Sequence, residues 1–167
     1  IIRSHGVSKA VQEKMDQTGL KVLDATCPFV KKIHRLVTEQ EAEGRRIIII
    51  GNRNHPEVEG IKGWCENHPV IIETKDEAEE FCETRNQGYC IVSQTTFNYK
   101  YFQELVEIFE KKGYDIIALN TICNATEERQ QQTRELAASS DAMIVIGGKN
   151  SSNTQKLYEI CKKVCEN

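Results

Sequence analysis

One unit of this chain returns further along it. Setting Ile47-Ile48-Ile49-Ile50-Gly51-Asn52-Arg53-Asn54-His55-Pro56 against Met143-Ile144-Val145-Ile146-Gly147-Gly148-Lys149-Asn150-Ser151-Ser152 aligns an apolar run, a glycine, a basic residue and an asparagine at an offset of 96 residues. The same offset carries Cys27 onto Cys123. Each unit therefore reads strand, cysteine, helix, strand, G-x-K/R-N loop, helix, and a chain built from such units must stack them around shared contacts. A weaker match of Arg3-Ser4-His5 with Arg53-Asn54-His55 points to the end of a third, earlier unit, whose own cysteine would lie upstream of Ile1.

Within each unit, short β-branched runs alternate with longer helix-periodic segments, the signature of βαβ units around a parallel sheet, so the fold class is α/β. The pattern predicts strands at Lys21 to Ala25, Arg46 to Gly51, Val70 to Glu73, Gly88 to Gln94, Asp115 to Leu119 and Ala142 to Gly147. Helices are predicted over 8–18, from Pro28 to Gly44, from about Pro56, over Lys75 to Cys82, over Asn98 to Lys112, from about Ala125 to Ser139 and from about Ser152. Pro28 and Pro56 stand where a first helical position tolerates the missing N–H. The expected division is 1–26 as the remnant of a first α/β unit, 27–121 as a second, and 122–167 as a third, truncated one.

Composition removes several function classes. Lys and Arg total 22 against 25 Asp and Glu, a net charge of −3, so the basic excess of a nucleic-acid binder is absent and a small anion would have to be held by local geometry. No apolar run approaches the ~18 residues of a membrane-spanning helix. Seven cysteines, scattered and odd in number, argue against a disulfide scaffold, and a start without a basic then apolar leader points to a reducing, cytoplasmic setting.

In parallel α/β units, ligands gather at the carboxyl ends of the strands and the amino ends of the following helices. Cys27 and Cys123 fall at that edge, each opening a helix whose positive dipole end favours an anionic ligand atom. His5, His55 and the run Ser151-Ser152-Asn153 share the edge. If related units face a common centre, one thiolate per unit meets there, ringed by anion-binding loops. The blander alternatives are buried thiols for the cysteines, a helix start for His55-Pro56-Glu57, a strand end for Gln94-Thr95-Thr96 and plain N-capping for Ser151-Ser152-Asn153. Cys65, Cys82, Cys90, Cys161 and Cys165 read as packing residues, His34 as a surface residue off the apolar stripe of its helix, and His68 as part of a turn before Pro69.

Six strings in order carry a resemblance: His5-Gly6-Val7-Ser8, Asp24-Ala25-Thr26-Cys27-Pro28, Gly51 with His55-Pro56-Glu57-Val58-Glu59-Gly60, Gln94-Thr95-Thr96, Ile122-Cys123-Asn124-Ala125-Thr126 and Lys149-Asn150-Ser151-Ser152-Asn153. Over essentially its whole length the chain resembles the 4-hydroxy-3-methylbut-2-enyl diphosphate reductase (IspH/LytB) family. The resemblance implies a trefoil of three related α/β units around a 4Fe-4S cluster. It further implies Cys27 and Cys123 as two of three cluster ligands, the third being missing from this chain. It implies His5, His55, Ser151, Ser152 and Asn153 as diphosphate-binding or substrate-contacting residues, Glu57 as proton donor, and Thr95 as the contact to the substrate oxygen. The implied reaction is the two-electron reductive dehydroxylation of an allylic diphosphate to isopentenyl and dimethylallyl diphosphates, with a ferredoxin or flavodoxin as electron donor. Lacking the third cysteine, an N-terminal histidine and a C-terminal serine of that pattern, the chain alone is expected to be inactive. The competing reading is a metal-free α/β module that binds a phosphorylated small molecule through its G-x-K/R-N loops.

Overall fold

Four consecutive isoleucines, Ile47 to Ile50, have no polar face to offer water, so the strand that carries them must be covered on both sides. In the structure, a computed structural model that describes residues 1–165, they form the centre of a four-stranded parallel sheet. Its strands are β1 (Arg46–Ile50), β2 (Val70–Ile72), β3 (Tyr89–Ser93) and β4 (Ile116–Ala118), in the spatial order β2-β1-β3-β4. The register sets Ile48 beside Val70 and Ile91, and Ile50 beside Ile72 and Ser93. Among the described residues the helices are α1 (Lys9–Asp16), α2 (Pro28–Ala42), α3 (Pro56–Lys62), α4 (Lys75–Glu80), α5 (Tyr99–Lys111), α6 (Asn124–Ala138) and α7 (Ser152–Val164).

The period-2 alternation of the strands divides the core. Ile47 and Ile49 of β1, with Cys90 and Val92 of β3, pack against Ile33 and Val37 of α2 and Val58 and Ile61 of α3. On the other face Ile48, Ile50, Tyr89 and Ile91 meet Ala78 of α4 and Phe102, Leu105 and Phe109 of α5. Each fully buried isoleucine contributes about 1.5–3 kcal/mol by leaving water.

This topology locates a crevice. The helix after β1, α3, crosses one face of the sheet, while the helix after β3, α5, crosses the opposite face. Between the carboxyl ends of β1 and β3 the chain thus leaves in two directions, and such a switch point is where open parallel sheets bind ligands.

Two predicted strands differ from expectation. Ala142 to Gly147 forms no strand, and Ile144 and Ile146 are 87% and 91% exposed. A strand is defined by hydrogen bonds to a neighbour, and no described strand pairs with this segment. Lys21 to Ala25 makes a single parallel bridge, Ile2 with Asp24, rather than a ladder. Among the thiols read as packing residues, Cys90 and Cys161 are buried and Cys65 and Cys165 half-buried, but Cys82 is exposed. Burial pushes the Cys65 thiol up to about 12 and the Cys90 thiol up to about 11, which keeps both protonated and inert. Residues 166 and 167, the end of the expected third unit, lie outside the described residues.

Candidate active site at the sheet switch point

Glu57 enters the crevice because Pro56 opens α3 directly after the loop from β1. The carboxyl group is 2% exposed and is gripped from the end of β3: Thr95 N–H donates to Oε1 at 2.5 Å and Thr95 Oγ1 donates to Oε2 at 2.7 Å. Burial raises its pKa, while the two Thr95 bonds and the nearby His5 oppose the rise without cancelling it. The carboxyl group therefore holds its proton more tightly than a solvent-exposed glutamate does.

His55 caps α3, its Nδ1 accepting the Glu57 N–H at 3.2 Å. An accepting Nδ1 assigns the imidazole proton to Nε2, which is then a donor. Burial, and then the neighbouring His5, lower the His55 pKa. The His5 ring stands edge-on to His55, centroids 5.5 Å apart, with Nδ1 buried and without a partner among the described residues. The loop that carries His5 is anchored to the first cysteine: Cys27 N–H donates to the Ser4 carbonyl at 3.0 Å.

Cys27 and Cys123 occupy N-cap positions, of α2 and α6, and neither thiol makes a capping hydrogen bond. Asp24 orders the approach to Cys27. It accepts from Thr26 and pairs with Lys31 at 2.5 Å, and the Lys31 contact is the first cause of its pKa falling to about 2. Cys123 hangs from the Glu57 partner, its N–H donating to the Thr95 carbonyl at 3.0 Å. Just before it, Thr121 Oγ1 accepts from Ser93 N–H and donates to the Ser93 carbonyl, both at 2.7 Å, so a side chain takes over where the β3–β4 pairing ends. The two thiols suit soft metal ligation, and among the described residues no group of three His, Cys, Asp or Glu converges for a metal ion.

The two recurring loops meet. A cleft of about 380 Å³ is lined by Asn52, Asn54 and His55 from one loop and by Asn150 and Ser152 from the other. Gln94 stitches them, its Oε1 accepting from Asn52 N–H at 3.2 Å and its Nε2 donating to Ser152 Oγ at 3.1 Å and Thr96 Oγ1 at 2.7 Å. Ser151 is the N-cap of α7, accepting from Thr154 N–H, and Asn153 Oδ1 is buried without a hydrogen-bond partner among the described residues. A helix N-terminus beside hydroxyls and an imidazole N–H is suited to a phosphate.

Arg53, the basic residue of the first loop, pairs with Glu73 and Glu77 and so has no charge to spare for a ligand. The sequence reads Gln94 and Thr96 as a strand end, and the signal of their role is a polar run directly after a fully buried strand. His34, expected on the surface, is instead 5% exposed and stacked on Trp64.

The family profile described as LytB protein matches residues 1–167. The 4-hydroxy-3-methylbut-2-enyl diphosphate reductase of Caldanaerobacter subterraneus subsp. tengcongensis is 47% identical over 169 residues, covering 100% of this chain and 57% of that protein. That of Clostridioides difficile is 48% identical over 162 residues, 97% of this chain and 58% of its own. Two solved structures are alike. The (E)-4-hydroxy-3-methyl-but-2-enyl diphosphate reductase described as the terminal enzyme of the non-mevalonate pathway has a TM-score of 0.69 at 42% identity, over 99% of this chain and 59% of that one. The E-1-hydroxy-2-methyl-but-2-enyl-4-diphosphate reductase from Plasmodium falciparum has a TM-score of 0.90 at 30% identity, over 96% and 51%. The chain spans about 57% of the length of the Caldanaerobacter relative. With its whole length matched by one profile and its fold shared with these reductases, the chain belongs to the LytB family.

Proposed function

We propose that this chain supplies the proton-donating and diphosphate-holding part of a reductase that removes the hydroxyl of 4-hydroxy-3-methylbut-2-enyl diphosphate. The observation that carries the reading is the buried Glu57–Thr95 pair, set at the switch point beside the cleft where both recurring loops meet. The overall change breaks one C–O bond and forms one C–H bond, consuming two electrons and two protons and releasing water. Glu57, through Thr95 Oγ1, delivers the proton that lets the hydroxyl leave as water rather than hydroxide. His5, His55, Ser151, Ser152 and Asn153 hold the diphosphate at the mouth of α7. Cys27 and Cys123 would hold two corners of a 4Fe-4S cluster, which when bound supplies the electrons and Lewis acidity. The electrons reach it from a ferredoxin or flavodoxin. Two thiolates do not close a cubane site, so the 167 residues alone are expected to be inactive. The units 1–26, 27–121 and 122–167 are proposed as successive parts of the trefoil, and the cytoplasm as the setting; among the described residues no helix is long and apolar enough to cross a membrane.

The test is an anaerobic preparation of the full-length protein, read by visible absorption, iron and sulfide content, and turnover of the allylic diphosphate. Cys27→Ala is expected to lose the brown chromophore, whereas Glu57→Gln keeps it and loses about a hundredfold or more in kcat. A colourless wild-type protein that still binds diphosphate would return the cysteines to packing and favour the metal-free module.

A further inference from the structure

The loop that carries His5 has little structure of its own, and a hydrogen-bonding residue on a loop is only as precise as what holds the loop. One side of this loop rests on His34, from the second turn of α2. The ring of His34 is 5% exposed, lies flat on Trp64 with centroids 4.9 Å apart and planes 17° from parallel, and its Nε2 has no hydrogen-bond partner among the described residues. Replacing a buried, orphaned nitrogen by a hydrocarbon would be nearly neutral or stabilising, so stability alone does not account for an imidazole here.

Its surroundings do. Gly6, next to His5, adopts φ +72°, and a Cβ there would fall 2.8 Å from His34 Cε1, so the ring is a floor on which the loop backbone rests. Gly60 of α3 leaves a gap on which His34 Nε2 and the His5 carbonyl converge: a Cβ built there would sit 3.9 Å from the nitrogen and 3.4 Å from the oxygen. From the stacked partner, Trp64 Nε1 donates to the Val7 carbonyl at 2.8 Å, and Lys9 N–H donates to the Gly63 carbonyl at 3.2 Å. The residues that follow His5 are therefore held by the His34–Trp64 stack and the end of α3, and α2 is the helix that Cys27 opens.

We propose that His34 is a positioning residue: clamped on Trp64, its ring fixes the Gly6 backbone and thereby aims the His5 imidazole at the anion in the site. This rests on the reading of His5 as a diphosphate-binding residue. His34 itself touches no substrate. Burial lowers its pKa from 6.5 to about 4, so at neutral pH the wedge is uncharged and does not compete for the anion.

The test measures inorganic pyrophosphate affinity by isothermal titration in the anaerobically prepared full-length protein carrying His34→Leu, His5→Ala or both. His34→Leu is expected to weaken pyrophosphate about tenfold, as does misplacement of a binding group by a fraction of an ångström. His5→Ala weakens it at least as much, and the double variant binds no more weakly than His5→Ala alone. Independent, additive losses, or unchanged affinity in His34→Leu, overturn the proposal. Unchanged affinity in His5→Ala overturns the diphosphate reading of His5 and this inference with it, an outcome visible in that single variant. Should His34→Leu fail to fold, Trp64→Phe keeps the stack but loses the bond to Val7, and is expected to show a smaller loss with the same dependence on His5; additivity there is equally fatal.

Discussion

Glu57 holds two opposed influences in one side chain. Removal from water favours the neutral acid, and two donors from Thr95 favour the carboxylate; burial wins. A folded-state pKa above the unfolded value means that the folded protein binds the extra proton, so this group's stabilisation is complete below the unfolded pKa of 4.5 and is lost as pH rises through the folded one. Glu57→Gln has no such proton to lose. Its urea midpoint relative to wild type should therefore climb as pH is raised from about 4.5 to 8, and a constant difference would show that the folded and unfolded states bind this proton equally. His34 runs the other way, because its depressed pKa makes the folded state the poorer proton binder. Its contribution is present above 6.5 and lost as pH falls toward about 4, so acid should unfold wild type before His34→Leu. Motif strings pointed to Glu57, Thr95 and the cysteines as site residues, but not to the burial of His34. Off the apolar stripe an imidazole reads as solvated, and only the arrival of Gly6, Gly60 and Trp64 from elsewhere in the chain encloses it.

Elements in and around the sheet were legible because each carries its own signal: an unbroken isoleucine run for β1, Ile91-Val92 within β3, Pro at the start of α2 and α3, Gly44 and Gly113 at φ of +83° and +75° just past α2 and α5. The crevice between elements was not legible, since it depends on which face each crossover takes. Gly51 shows how closely those elements meet. A Cβ there would lie 2.9 Å from Gln94 Cβ and 3.0 Å from Val58 Cγ2, atoms on short, packed stems that cannot swing aside. Gly51→Ala is accordingly expected to cost about 1–3 kcal/mol of unfolding free energy and to push Gln94 off the Asn52 and Ser152 contacts it bridges. Urea denaturation would measure the first effect and pyrophosphate affinity the second. Full stability in the variant would mean that β1 and β3 part more easily than this packing allows.

Across the whole molecule, the recurring unit succeeds at its loops and falls short at its strand. Asn54 and Asn150 stand one repeat apart, and the loops that contain them share one cleft, yet Ile47 to Ile50 are completely buried while their counterparts Ile144 and Ile146 face water. The difference is not in propensity, because both runs are apolar and β-branched; it lies in hydrogen bonding, for β1 has a strand on each side and Met143 to Ile146 has none among the described residues. Large exposed aliphatic side chains on a segment outside any described sheet form the kind of surface that proteins normally cover. This chain spans 57% of the length of the Caldanaerobacter relative, so further sequence exists in that relative from which a neighbour could come. In the full-length protein the amides of Ile144 and Ile146 should therefore exchange with deuterium slowly, as those of Ile48 and Ile91 do, whereas in the 167-residue chain they should exchange at once. Fast exchange in both would mean that the second copy of the strand is never built, and that the likeness between the two units ends at their loops.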